Sequence, residues 1–409
     1  MKKISFALFL SLSACLVYGG GYRVSLQGVR QAALGAQGVA MHHDASVAFF
    51  NPAALAFVES KVSIAVGGFG VGIKSSYQNQ QTLQTAETKN PLGTPLYFAA
   101  SYKPTKNLAV GVSVTTPFGS TIDWGNEWAG RYIIDRIALK SFFIQPTVAY
   151  SFNDWFSLGG GVIIARGDVN IRKSISFGSK DIGFEIDKKG AKGTGMNLGV
   201  FIKPSETLNI GASYRSEITM KAEEGDVIFK DVPAIASTKL PFTAKNFNST
   251  LPLPAEFLIG ANYQVTPKLM LGLEIGTVQW SAYKDLKVEL YNGADVYNSE
   301  PSDKNYDNTV NYSFGAEYLA TRNLAVRLGY KYDESPSPSD SFNPETPTVN
   351  YHAFTGGFGL NFNQFTIDAM AEYIYGEERS FNNTQYNFGG DIMSRGFVFG
   401  LGLSYNLNY

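Results

Sequence analysis

One cysteine, three histidines and a thin charge content set the first limits on this chain of 409 residues. Cys15 lies in an apolar stretch near the N-terminus, so the chain beyond it has no disulfide, catalytic thiol or thiolate metal site. His42 and His43 stand beside Asp44, but the remaining histidine, His352, is remote in sequence. Zinc needs three or four ligands, so Met41-His42-His43-Asp44 reads as a turn, and no metal or other cofactor is expected. Charged residues make up 17% of the chain, below the roughly 25% of soluble domains. With 34 basic residues against 35 acidic ones, no basic surplus exists to hold a nucleic acid. After the N-terminus no apolar run reaches about 18 residues, which excludes a membrane-crossing helix. Gly68-x-Gly70-x-Gly72 and Gly193-x-Gly195 fall inside alternating segments with no helix following, so they are not phosphate loops. No Gly-x-Ser-x-Gly elbow occurs, and an enzyme is not expected.

What is present begins with an export signal. Lys2 and Lys3 form its charged part, Ile4 to Val17 its apolar part, and Gly19, Gly20 and Gly21 supply small residues. Residues 1–19 read as a signal peptide cleaved near Gly19 or Gly20. Leu12-Ser13-Ala14-Cys15 also resembles a lipoprotein cleavage box; the alternative is that Cys15 belongs to the apolar stretch. Gly at 42, Phe at 29 and Tyr at 23 are the abundant residues, and from residue 61 apolar and polar positions alternate. Leu108, Val110, Val112 and Val114 alternate with Ala109, Gly111, Ser113 and Thr115. Phe397, Phe399, Leu401, Leu403, Tyr405, Leu407 and Tyr409 form the last such row. In a strand these sets face opposite sides.

Fourteen such segments are expected at 61–74, 94–103, 106–117, 139–152, 155–173, 192–203, 206–221, 251–265, 268–289, 309–320, 322–334, 348–362, 364–377 and 393–408. A slip in the alternation predicts a bulge near Asp168 to Lys173. Connections after even-numbered segments are tiny. Those after odd-numbered ones are long: 75–93, 118–138, 174–191, 222–250, 290–308, 335–347 and 378–392. Short periplasmic turns and long outer loops are the pattern of an outer-membrane barrel. The fold class is therefore all-β: a 14-stranded antiparallel transmembrane β-barrel over residues 61–409, in the cell outer membrane. Residues 20–60 do not alternate. They carry Val24, Leu26, Val29, Leu34, Phe49, Phe50, Leu55 and Phe57, too apolar for a solvated tail, so a hatch plugging the lumen is expected. Asn51 should cap a turn starting at Pro52.

The chain resembles the long-chain fatty acid outer-membrane transporter family of the FadL/TodX type. The resemblance rests on Asn51-Pro52-Ala53, Thr116-Pro117-Phe118-Gly119, Tyr214-Arg215-Ser216-Glu217, Trp280-Ser281 and Asp333-Glu334-Ser335-Pro336-Ser337-Pro338, in that order on the fourteen segments. It implies a monomer whose hatch ends at Asn51, Pro52 and Ala53. It implies passive uptake of hydrophobic compounds, fatty acids or aromatic hydrocarbons, by loop capture, an inner pocket and lateral release into outer-membrane lipid. Pro117, Phe118 and Gly119 would then form the wall opening. The competing reading of those three is that they merely end the third strand. The competing function is a structural or adhesive barrel without transport.

Arg215, Glu217, Glu256, Glu274, Glu317, Arg327, Lys331, Asp368 and Glu372 fall on the expected lumen face. Most should pair with one another. Arg215, Arg327 and Lys331 are the candidates for holding a substrate carboxylate, and the resemblance adds Lys173. Near the tenth segment, where the family places a cation, this chain has Asp307-Asn308. Trp124, Trp128, Ile133, Ile134, Val232, Ile235, Leu240, Phe242 and Phe247 crowd two outer loops; they read as capture residues or as interface anchors.

Overall fold

Period-two alternation can bury one face only if the strands close on themselves or stack. In the computed structural model, which describes residues 20–408, they close. The signal peptide and Cys15 lie outside the described residues. The wall is a closed antiparallel barrel of fourteen strands. They are β1 Val62–Gln78, β2 Leu96–Tyr102, β3 Leu108–Thr115 resuming as Gly119–Asp123, β4 Arg136–Asn153, β5 Phe156–Phe177 and β6 Lys180–Ser205. They continue with β7 Leu208–Arg215 resuming as Ile218–Lys230, β8 Asn246–Leu253 resuming as Glu256–Thr266, and β9 Leu269–Val278. The last five are β10 Thr309–Leu319, β11 Leu324–Asp333, β12 Tyr351–Phe362, β13 Phe365–Gly376 and β14 Phe388–Leu407. Closure is made by β1 on β14, paired from Val62↔Leu407 to Gln78↔Asp391. With the first and last strands joined, the sheet has no outer edge, as a lipid environment requires.

The outward positions are exposed apolar groups. Phe142, Ile144, Val148 and Tyr150 on β4 are among them, as are Phe399, Leu401 and Leu403 on β14. Inward positions are small or polar: Ala109, Ser113 and Thr115 on β3 are buried. Several boundaries differ from the sequence expectation: β1 runs on to Gln78, β7 to Lys230, β8 begins at Asn246 and β14 at Phe388, all inside expected loops, and two differences are larger. Residues 174–191 are not a loop; β5 and β6 run on as a paired ribbon to Phe177↔Lys180, turning at Gly178 with φ 64. Nothing in the alternation separates a strand that leaves the membrane from a polar loop. Strands of 22 and 26 residues far exceed the roughly 9–11 needed to cross. The ninth strand stops at Val278 rather than running to 289, because the chain turns into the short 3-10 helix Trp280–Ala282. A register shift does fall in the slipped region, between Gly167 and Val169 on β5; the surplus residues of β6 surround Gly190, which has φ 72.

Residues 20–58 touch the inner faces of many strands. They form short helices at Val29–Ala32 and Val47–Phe50 and a 3-10 turn at Pro52–Phe57. Asn51 caps that turn, its Oδ1 accepting from Ala53 N–H at 3.1 Å. Its Nδ2 donates to Val39 O at 2.8 Å and to Val200 O on β6 at 2.9 Å. Several wall glycines admit this backbone. A Cβ on Gly211 would stand 1.9 Å from Val39 O, and one on Gly329 would stand 2.2 Å from Gly35 N. We therefore expect Gly211→Val to leave a folded barrel with residues 38–53 displaced. Limited proteolysis should then cut between Gln37 and Phe57, where the native protein resists.

Candidate functional site

The site grows from a defect in β3. Pro117 has no N–H to offer the ladder, and after Thr115 the strand parts from β2. Thr116 Oγ1 makes the last link between the two, to the backbone of Leu96 at 3.2 Å. Contact resumes at the other end, where Lys89 N–H donates to Asp123 O at 2.7 Å and Asp123 N–H to Asn90 Oδ1 at 2.9 Å. Between these clamps no backbone hydrogen bond joins 91–95 to 117–122 among the described residues. The wall therefore has a window. Leu92, 66% exposed, and Leu96, 45% exposed, give one rim an apolar lip.

The freed backbone of β3 is not left unsatisfied. Val24 N–H donates to Pro117 O at 2.8 Å, and Gly119 N–H donates to Tyr22 O at 2.9 Å. Arg23 and Phe118 form an antiparallel bridge. On the other flank Phe118 exchanges bonds with Ser141, through Ser141 N–H at 3.0 Å and Ser141 Oγ at 3.1 Å. The N-terminal segment thus takes the place of β2 beside the broken strand. Pro117, Phe118 and Gly119 lie on one rim of the window, and Phe118 packs on Tyr22 and Phe143 at ring separations of 6.0 and 5.8 Å.

Behind the window lies a cavity of about 850 Å³, within the range of sites that enclose small ligands. Val24, Leu26, Val71, Ile374 and Val398 line it, and Lys331, Tyr351 and Glu372 stand at its inner end. Leu92, Gly93, Leu96, Thr116 and Gly119 line the same space, so cavity and window are continuous. Its outer mouth carries charges of both signs, including Lys140, Asp168 and Arg172. A smaller apolar chamber of about 70 Å³ meets it at Phe118 and Gly119 and is lined by Tyr22, Phe247 and Tyr283.

The lumen charges are mostly paired. Arg23 joins Glu256 and, at 2.6 Å, Asp333. Arg215 reaches Glu256 at 2.7 Å and Phe49 O at 2.8 Å. Arg327 bridges Glu317, at 2.6 Å, and Asp368; Arg30 meets Glu317 at 2.6 Å. Glu274 accepts from Gly38 and Val39 N–H, both at 2.9 Å. Burial alone would lower the pKa of Arg23, but the Asp333 and Glu256 carboxylates overcome it and keep the guanidinium charged. Burial pushes the His42 imidazole down to about 4, and its ring packs edge-on against Phe201. His43 lies 3.4 Å from Asp44, while His352 on β12 meets Glu377 at 3.2 Å. Glu217 departs from the expected lumen row: it is exposed, because β7 breaks at 216–217.

Of the carboxylate-binding candidates, Lys331 lines the cavity. Arg215 and Arg327 are engaged as described and do not. Lys173 stands on the β5–β6 ribbon, 5.8 Å from the Phe184 ring centre, away from the cavity. Replacing Arg327 by Met should strip Asp368 of its ion pair and leave Glu317 with Arg30 alone. Removing one partner of a buried network costs about 3–5 kcal/mol, so the variant should unfold at a lower temperature in a heated SDS-gel series.

The loop aromatics are packed rather than displayed. Trp124 and Trp128 stack at 4.5 Å and are both buried. Their indole N–H groups donate to Pro344 O at 3.0 Å and Ile134 O at 2.8 Å. Phe247 is fully buried, and Phe242 packs on Phe177 and Phe229. Ile235 alone among the nine capture candidates is exposed, at 81%. Apolar density in a loop signals a packed cap as readily as a displayed surface, and sequence does not separate the two. The reading also missed Tyr22, Arg23, Leu92 and Ser141. Their roles come from what β3 does when it leaves its neighbour, which no local pattern announces.

A closed barrel with a window in its wall, opening on an internal apolar cavity, defines an outer-membrane barrel with a side passage. The chain belongs to the outer membrane protein transport protein family OMPP1/FadL/TodX, whose model matches residues 16–407. A putative outer membrane protein of Neisseria meningitidis serogroup B is 25% identical, over 97% of this chain and 94% of its own. The long-chain fatty acid transport protein of Salmonella typhi is 21% identical over 72% of each chain. Among solved structures, a Pseudomonas aeruginosa FadL homologue superposes with a TM-score of 0.82 at 19% identity, covering 95% of this chain and 100% of its own. The Pseudomonas putida toluene transporter TodX superposes at 0.70 with 14% identity, covering 96% and 99%.

Proposed function

We propose that this protein moves hydrophobic molecules, of the kind its relatives are named for, from outside the cell into the outer-membrane lipid without a bond being made or broken. The observation that carries this reading is the continuity of cavity and window. A solute in the small chamber passes Phe118 into the larger cavity and leaves between residues 91–95 and 117–122. It gains about 0.8 kcal/mol per buried CH₂ on entry, and sideways exit keeps that gain because the destination is lipid. A water-filled pore would offer none of it. Residues 20–60, ending at Asn51-Pro52-Ala53, serve as the hatch that denies a straight path to the periplasm. One barrel contains the whole route, so a monomer suffices. The test is uptake of labelled toluene and of a labelled long-chain fatty acid by cells with and without the protein. Faster uptake of at least one is expected; equal rates for both would leave the structural-barrel reading in its place.

A further inference from the structure

The carboxylates facing the lumen are matched one by one, with a single exception. Glu256, Glu317, Asp333 and Asp368 hold arginines or Lys331, and Glu274 holds backbone N–H groups. Glu372 has no hydrogen bond and no ion pair among the described residues, yet it lines the inner end of the cavity. Its neighbours across the sheet are Thr355 and Val398. Val398 offers nothing polar. Thr355 Oγ1 is already used, accepting from Gly35 N–H at 3.1 Å and donating to Ala33 O at 2.9 Å. Glu372 is half-buried, and where its carboxylate opens on the cavity no donor among the described residues meets it.

The cations nearby already hold carboxylates. Lys331 Nζ is held by Ser25 Oγ at 2.7 Å and Asp333 at 3.0 Å. Arg23 spends its terminal nitrogens on Glu256 and Asp333, and its Nε is buried away from the cavity surface. A carboxylate entering here would meet cations that already hold Glu256 and Asp333, and one carboxylate, Glu372, that holds none. A hydroxyl or an ammonium would meet an acceptor that lacks a donor.

We propose that the inner end of this cavity selects hydrophobic molecules whose polar end donates a hydrogen bond or carries positive charge, such as alkyl alcohols and amines, over those ending in a carboxylate. This rests on the cavity being the cargo site proposed above. The experiment uses the full mature protein in nanodiscs near neutral pH, with 1-decanol, decylamine and decanoate as probes of one chain length. Bound probe is measured by equilibrium dialysis and corrected with empty nanodiscs, for the native protein, Glu372→Gln and Glu372→Leu. Folding of each variant is checked by heat-modifiable gel migration.

The native protein should bind decylamine and decanol at least about tenfold more tightly than decanoate, in keeping with the strength of hydrogen bonds to charged groups. Glu372→Gln should remove the preference for the amine while still binding all three. Glu372→Leu should also weaken decanol and raise decanoate to or above it. Decanoate binding as tightly as the others, or an amine preference untouched in Glu372→Gln, would overturn the head-group proposal while leaving the cargo site standing. No probe bound above the empty nanodisc would overturn both.

Discussion

Rebuilding Thr116-Pro117-Phe118-Gly119 as an unbroken strand, for example as Val-Thr-Val-Thr, should stop the uptake of hydrophobic solute while leaving the barrel intact. The change restores an N–H at position 117 and lets β3 stay on β2 past Leu96. The window between 91–95 and 117–122 would zip shut. A solute in the cavity would then have to leave through the charged mouth or past the salt-bridge cluster behind Arg23. For an eight-carbon chain, re-exposure to water costs about 6 kcal/mol at about 0.8 kcal/mol per CH₂. Each 1.4 kcal/mol is about tenfold, so transport should fall below detection. The check is a radiolabelled uptake assay beside a heat-modifiability gel. Uptake within about threefold of native, in a protein shown to carry the continuous strand, would sink the side-exit route.

Deleting residues 22–58 should have the opposite outcome, a leak. The fourteen-stranded ladder does not depend on that segment, since every wall strand has both neighbours in the wall except along the break in β3. What disappears is Arg23, Arg30 and the Asn51-capped turn. The lumen then exposes Glu256, Glu274, Glu317, Asp333, Asp368 and Glu372 against Arg215, Arg327 and Lys331. Anionic walls raise the local cation concentration, so the open pore should prefer potassium over chloride. Planar-bilayer conductance with a salt gradient gives both the leak and its sign. Gated uptake of hydrophobic solute should be lost, because Tyr22 and Val24 no longer support the bent strand. A tight, non-conducting barrel after the deletion would rule out the hatch.

The wall was easy to read in the sequence because it is a repeated local signal. Alternation marks each strand, and the parity of loop lengths orients them. The β5–β6 ribbon escaped even though Ile182, Phe184 and Ile186 alternate with Asp181, Gly183, Glu185 and Asp187, because a strand continuing past the length of a membrane crossing reads as a loop. The site was only partly legible. Pro117 and Gly119 marked an interruption, but their local chemistry alone fitted a plain strand end as well; only the resemblance pointed to a wall opening there. The partner strand supplied by residues 22–24 could not be seen, because it depends on contacts between residues more than ninety positions apart. Charge on the lumen face was legible as well, apart from Glu217. Which of those charges are already satisfied was not, and that decides which one is free to meet a solute. Arg215 and Arg327 read as binding residues from their facing, and pairing removed them from the cavity.

The glycines that line the wall where residues 34–53 rest have one further consequence. There the contact is between main chains: Gly211 meets the Val39 carbonyl, Gly329 meets Gly35, and Gly159 meets Pro52 and Ala53. A seat made of missing side chains can be spoiled by addition but hardly tuned by exchange. Side chains within residues 34–53 can therefore change with little effect on how that backbone is seated. Variation that changes what the protein carries must fall instead on side chains that reach empty space, such as Glu372, Ile374 and Val398. Mutational libraries aimed at new cargo should be confined to those positions, with the glycine seat left alone.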